Sequence, residues 1–288
     1  MIIVRLSGGV GNQMFQYAAA KSLAIAKNTS LEIDINNFKH YTNNFRVYNL
    51  NYFNITSKIN NNKIIRIYSN KYVYYLLRKT NKFLLNFILN IYFEPKHYFN
   101  QNFFDLSKNT YLIGYFQSEL YFKSIFKTIC SEFKFKVIFD SLLVDKVKSK
   151  PSSVSIHVRR GDYLNSKICS EFNVCNLDYF YKGINLISKK ITNPYFFIFS
   201  DDVMWCKKNL KIPFPHYFVE GDNKDTSLRD LQLMSLCKHN IISNSTFSWW
   251  GAYLNQNENK IVIAPKIWFN HSDKSYYKDI VPDNWIKI

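Results

Sequence analysis

The sequence predicts an α/β protein made of two doubly wound domains of parallel strands that face each other across a cleft. Three observations carry this. Short apolar runs repeatedly end in turns rich in Gly, Ser, Asn, Asp or Arg. Segments with helical spacing follow those turns, and strands that alternate with helices build parallel sheets. The alternation starts twice, at Ile2 and again at Ser153, and 288 residues suit about two domains of ordinary size.

Ile2–Leu6 reads as a buried parallel strand. Asn12–Lys27 reads as a helix, with Phe15, Ala18, Ala19, Ser22, Leu23 and Ala26 on one face. Leu31–Ile35 is a second strand. Residues 36–110 are rich in Asn, Tyr and Phe, with helices expected at Tyr72–Lys79 and Lys82–Ile91. A strand is expected at Tyr111–Phe116 and a helix at Ser118–Lys134. The polar stretch Asp140–Ser153 contains Pro151 and marks the boundary, giving domains 1–150 and 151–288. The second half predicts strands at Ser153–Val158, Tyr195–Ser200, Tyr217–Val219, Asn240–Ser243 and Lys260–Ala264. Helices are expected at Leu177–Lys190, Val203–Asn209, Ser227–Cys237 and Ser248–Asn255.

Hydrophobic residues make up 47% and charged residues 20%, enough for a large core and against global disorder. The formal charge is +17, and residues 1–150 hold 21 Lys and Arg against 8 Asp and Glu, or +13 of it. No compact Lys/Arg run occurs, so a nucleic-acid groove is poorly supported. The five cysteines form no CxxC pair, which excludes a zinc site of that type and fits reduced thiols. The N-terminus lacks the long apolar stretch of a signal peptide. Phe83–Phe93 is too short to span a bilayer, and a buried or membrane-surface helix is expected there. A cytoplasmic protein is expected, with peripheral contact at the inner face of the membrane.

In doubly wound sheets, ligands bind beyond the carboxyl ends of strands. Four turns qualify. In Ser7–Gln13, glycines let the backbone approach an anion at a helix start, although a plain tight turn also explains them. In His157–Tyr163 (HVRRGDY), the period of two puts His157 and Arg159 on one face, and Arg159 with Arg160 suits a diphosphate. A surface ion pair with Asp162 is the alternative. At Ser200–Asp202, a carboxylate could bond the Watson–Crick edge of guanine, cap the helix at Val203, or bind a metal if both carboxylates converged. In Ser243–Gly251, Ser245, Thr246 and Ser248 go beyond what N-capping alone requires and suit a phosphate. Trp249 and Trp250 read as core. No GxSxG hydrolase elbow occurs.

Taken in order, GGVGNQMFQYAAAKSLA, GYFQSELYF, HVRRGDY, SDD and SNSTFSWWGAYLN resemble glycosyltransferase family 11 in its bacterial, α-1,2-fucosyltransferase form. The likeness runs from residue 1 to about residue 265. It implies a GT-B fold of two Rossmann-like domains and an inverting mechanism without metal or other cofactor. It also implies GDP-β-L-fucose as donor, and as acceptor a galactose-terminated, lipid-linked oligosaccharide of O-antigen type. Arg159, supported by Arg160, would hold the donor phosphate. His157 and one of Asp201 and Asp202 would face guanine, and Ser245, Thr246 and Ser248, flanking Phe247, would meet the diphosphate. Gly9, Gly11, Asn12 and Gln13 would reach the donor from the other domain. The family's His-Gly-x-Cys pattern is altered: Cys175 is present, but its His is missing. The residues do not name a general base, for which Asp162, Asp34 and Glu119 are the options. The alternatives are another nucleotide-sugar transferase, a basic nucleic-acid-binding protein and a carbohydrate-binding module without turnover.

Overall fold

Ile2, Ile3 and Val4 are all apolar and buried because strand β1 (Ile2–Arg5) lies at the centre of a sheet and is covered on both sides. The computed structural model describes residues 1–40, 47–62, 90–161, 174–221 and 226–288. These divide into two compact units, Met1–Lys136 with Lys278–Ile280, and Val137–Tyr277 with Val281–Ile288.

In the first unit β1 is joined by β2 (Leu31–Asp34), β3 (Lys58–Ile59), β4 (Asn90–Phe93) and β5 (Thr110–Ile113) in the order β3-β2-β1-β5-β4. Every pairing is parallel. The chain runs from β1 outward through β2 to β3, then crosses to β4 and returns to β5 on the other side of β1, so the topological switch lies between β1 and β5. Helix α1 (Val10–Ala26) follows β1 and is buried on almost every face, with Ala18, Ala19 and Ala20 letting it lie close to its neighbours. Its Gln16 ties the two switch strands together. Gln16 Oε1 accepts from the Ser7 amide at 2.9 Å, and Nε2 donates to the Gly114 carbonyl at 3.0 Å.

The helix expected at Ser118–Lys134 is shorter. Two 3₁₀ turns, Glu119–Tyr121 and Lys123–Ile125, precede helix α2 (Phe126–Glu132). Tyr121 and Phe122 are both buried, Tyr121 against Phe103 at 4.7 Å and Phe122 against Phe15 at 5.9 Å. A regular helix would turn adjacent residues about 100° apart, and the break at Phe122 (φ −142°) lets both point inward. The helix expected at Tyr72–Lys79 lies outside the described residues, as does most of Lys82–Ile91. Asn90 and Ile91 are strand.

In the second unit the strands are β6 (Ser153–Val158), β7 (Tyr195–Ser200), β8 (His216–Phe218), β9 (His239–Ile241), β10 (Val262–Ala264) and β11 (Ile286–Lys287). Their order is β11-β10-β9-β6-β7-β8, again all parallel. The switch lies between β6 and β9. The helices are α3 (Ser141–Lys148), α4 (Leu177–Ser188), α5 (Val203–Asn209), α6 (Ser227–Leu236) and α7 (Thr246–Tyr253). All six residues of β6 are buried, yet they alternate in character. Val154, Ile156 and Val158 pack in an apolar cluster with Phe180, Ile184 and Ile187 of α4. Ser153, Ser155 and His157 line the other face. There Ser153 Oγ accepts from the Lys238 amide at 3.1 Å, and Ser155 Oγ accepts from Asn240 Nδ2 at 2.7 Å. Among the described residues no helix is long and apolar enough to cross a membrane.

Gln16→Leu keeps the length of the side chain but strands the Ser7 amide and the Gly114 carbonyl. The expected loss is about 2 kcal/mol, read as a lower urea midpoint with unchanged slope.

Candidate functional site

The carboxyl ends of β6 and β9 meet at the switch point of the second sheet, where open α/β sheets place their ligands. The polar face of β6 ends at His157, whose Nδ1 lies 2.9 Å from Ser243 Oγ just beyond β9. His157 is buried, and its ring lies 5.3 Å from that of Phe247. Burial, and then the charge of Arg159, lower the imidazole from 6.5 to about 3, so it is neutral at physiological pH.

The next residues turn outward as the strand ends. The β6–β7 register pairs Val158 with Ser200, which brings Arg159 level with Asp201. Arg159 Nη1 contacts Asp201 Oδ2 at 2.8 Å, with a third of the arginine side chain exposed. The other oxygen, Oδ1, accepts from the Arg160 amide at 2.9 Å. Gly161 lies close beneath: a Cβ there would meet Asp201 Oδ2 at 2.7 Å, so any side chain would push the carboxylate off Arg159.

Asp202 faces elsewhere. Its Oδ1 caps α5 by accepting from the Trp205 amide at 3.0 Å, and its Oδ2 lies 3.3 Å from Arg160 Nε. The Arg160 guanidinium stacks on Trp205, 3.5 Å from the ring centroid. Neither carboxylate is therefore an idle acceptor for guanine: Asp201 orients Arg159, and Asp202 caps a helix and holds Arg160. They do not converge, and among the described residues no group of three His, Cys, Asp or Glu is placed to hold a metal ion. The sequence reading missed Trp205, although a Trp one helical turn after Asp202 was the available signal.

Past β9, the loop Ser243–Ser245 is pinned from both sides. Asn244 Nδ2 donates to the Trp268 carbonyl at 3.0 Å, and the Cys175 thiol donates to Asn244 Oδ1 at 3.6 Å. Burial pushes that thiol up to about 12. Ser245 holds the N-cap position of α7, but its side chain does not cap the helix. The first amides of α7 are therefore not capped by the Ser245 side chain, and they lie just past β9 next to half-buried Thr246. Ser248 corrects the sequence reading. It is fully buried, and its hydroxyl turns back toward the carbonyls of Ser243 and Ser245 at 3.5 and 3.3 Å, which removes it from the ligand face. Asp162 lies outside the described residues.

In the first unit, Gly8 takes φ +77° and Gly9 is exposed at the start of α1. Asn12 Oδ1 accepts from Gln117 Nε2 at 3.0 Å, across the switch between β1 and β5. Gln13 is a second correction. It is fully buried, donates to the carbonyls of Gly8 and Val47 at 3.1 and 2.8 Å, and accepts from the Asn49 amide at 3.0 Å. Its amide group is committed to holding the backbone. Gly11 is likewise buried within α1. Asp34 is ruled out as a base because it is fully buried and accepts from Tyr111 Oη at 2.5 Å and from the Asn36 amide at 2.9 Å.

The model of glycosyl transferase family 11 matches residues 1–288. The chain belongs to this family. It is 33% identical over 302 residues to an alpha-1,2-colitosyltransferase of Escherichia coli, covering 100% of this chain and 99% of the relative. It is 36% identical over 301 residues to the O-antigen biosynthesis glycosyltransferase WbnK of Escherichia coli, covering 98% and 99%. Against a galactoside 2-alpha-L-fucosyltransferase, SEC1 of Bos taurus, it is 33% identical over 109 residues, covering 37% of this chain and 30% of the relative. A solved NodZ alpha-1,6-fucosyltransferase soaked with GDP-fucose shares the fold, with a TM-score of 0.51 at 14% identity, covering 88% of this chain and 92% of that one. As a member of this family the protein is a glycosyltransferase.

The buried imidazole makes stability depend on pH. Below 6.5 the unfolded chain binds a proton that the folded site refuses down to about 3. The folded state therefore loses stability as pH falls through that window. From pH 7 to pH 5 this one group should cost about 2 kcal/mol. Urea unfolding of the protein and of His157→Asn at both pH values should show that increment in the difference between them.

Proposed function

We propose that the protein is an inverting α-1,2-fucosyltransferase. In this reading it transfers L-fucose from GDP-β-L-fucose to the 2-hydroxyl of a terminal β-galactoside, on a lipid-linked glycan of O-antigen type. The observation that carries the reading is Arg159, oriented by Asp201 beside the uncapped start of α7 with its Ser245 and Thr246 hydroxyls. In glycosyl transfer the nucleoside diphosphate leaves, and negative charge grows on its phosphate oxygens as the glycosidic bond breaks. A guanidinium already fixed by a carboxylate, with helix-start amides that Ser245 leaves uncapped, would stabilise that charge without having to reorganise. The cation at the leaving group is thus supplied by the chain, and no metal is required in this reading.

The arrangement proposed is of the GT-B kind, with the second unit holding the donor and the first unit meeting the acceptor. The linkage, the galactoside and the pathway follow the names of the relatives, one for an α-1,2 transfer, one for a galactoside 2-α-L-fucosyl transfer and one for O-antigen biosynthesis. A second reading has its own support: the colitosyltransferase matches along the full chain. Colitose is fucose without the 3-hydroxyl, so GDP-colitose would present the same diphosphate to Arg159.

Incubation with GDP-fucose or GDP-colitose and a panel of β-galactosides, with linkage read by NMR, separates the two donors. Arg159→Ala should lower kcat/KM by upward of a hundredfold, about 3 kcal/mol. Near-normal turnover in that variant would remove the phosphate assignment. EDTA should leave the rate unchanged, and a strict divalent-metal requirement would contradict the metal-free step.

A further inference from the structure

The alternation of β6 carries past the end of the strand and parts the two arginines. Val154, Ile156 and Val158 pack in the apolar cluster with α4, and Trp205 of α5 packs against the same cluster. Arg160 follows Val158 on that side and meets Trp205 there, its guanidinium carbon 3.5 Å from the ring centroid. Arg159 has the parity of His157 and is held instead by Asp201.

The surroundings of Arg160 are fixed in their turn. The Trp205 amide donates to Asp202 Oδ1 at 3.0 Å, and the Trp205 carbonyl accepts from Asn209 Nδ2 at 2.9 Å. The Asp202 amide donates to Ser200 Oγ at 2.9 Å. One oxygen of Asp202 is thus committed to the Trp205 backbone, and the other lies 3.3 Å from Arg160 Nε. The Arg160 amide donates to Asp201 Oδ1 at 2.9 Å. Backbone, Nε and one face of the guanidinium are all engaged. The two Nη groups are not: among the described residues neither has a hydrogen-bond partner, and the side chain is 21% exposed. The indole sets the plane of the guanidinium, and the bond at Nε sets its rotation within that plane. What remains is a fork of N–H donors at the carboxyl end of a switch-point strand, a geometry that suits a phosphate able to accept two parallel hydrogen bonds.

We propose that Trp205 is a positioning residue for the transfer: with Asp202 it sets Arg160 so that the Nη edge donates to the diphosphate of the donor. The two arginines then reach the leaving group with separate bracing, Arg159 through Asp201 and Arg160 through Trp205. Loss of either brace misplaces one cation and leaves the other in register. This inference rests on the glycosyl-transfer reading given above.

The test is a double-mutant cycle between Trp205 and Arg160. Trp205→Leu removes the ring but keeps an apolar side chain for the cluster. It should lower kcat by about tenfold, with KM for the acceptor unchanged. Trp205→Phe, which keeps a ring under the guanidinium, should recover most of that loss. In an Arg160→Ala background Trp205→Leu should cause no further fall, because the residue it acts through is gone. Arg160→Lys keeps the charge but neither the flat face nor the fork. It should also fall by about tenfold, and it decides the matter if Trp205→Leu fails to fold. Trp205→Leu turning over at the rate of an active parent overturns the inference. So does an equal fall with and without Arg160, since the indole would then act as a wall of the fold or touch the ligand itself. Parent-like turnover of Arg160→Lys overturns it as well. A parent that transfers no sugar from either GDP-sugar instead defeats the functional reading on which the inference rests.

Discussion

The hydrogen bond between His157 and Ser243 is the joint on which the second unit's site depends. It closes a buried polar face that begins with Ser153 and Ser155, and it clamps the ends of β6 and β9 where the sheet changes direction. A buried polar pair is costly when half-satisfied, so the two strands are held in one relation. Everything that reaches the crevice is attached within a few residues of this joint: Arg159 on one side, and the start of α7 on the other. Keeping the imidazole neutral matters for the same reason, because a second positive charge beside Arg159 inside the fold would work against the joint.

The Arg159–Asp201 pair plays a different part. Both side chains are partly exposed, and such pairs contribute little to stability. What the pair supplies is aim. A free arginine samples many rotamers, whereas one fixed against a carboxylate has already lost that freedom before a ligand arrives. Arg160 is fixed separately, by Asp202 and the face of Trp205. Two adjacent guanidiniums are thus held by different partners in different places. In the first unit the equivalent bracing comes from glutamines: Gln16 ties β1 to β5, and Gln13 holds the backbone around Gly8 and Val47.

Much of this was legible in the sequence because strand periodicity and end-of-strand chemistry are local. The polar face through His157, the turn carrying Arg159 and the opening of α7 all follow from spacing. What was not legible depended on partners distant in sequence. Gln13 and Ser248 look like ligand residues until their long-range and backward bonds are seen, and Asp202 looked like a base reader until Trp205 and Arg160 claimed it. The short strands β3 and β11 have two residues each, too few to show a period. The Ser118–Lys134 segment has helical composition, but the core requires Tyr121 and Phe122 to point the same way.

The central claim is that the donor's diphosphate lies between Arg159 and the first turn of α7, and a crystal structure of the protein with GDP tests it most directly. The account predicts phosphate oxygens within hydrogen-bonding distance of the Arg159 guanidinium and of the Thr246 or Phe247 amides, with Asp201 still bonded to Arg159. Phosphates seated elsewhere, with Arg159 making no contact to them, would contradict it.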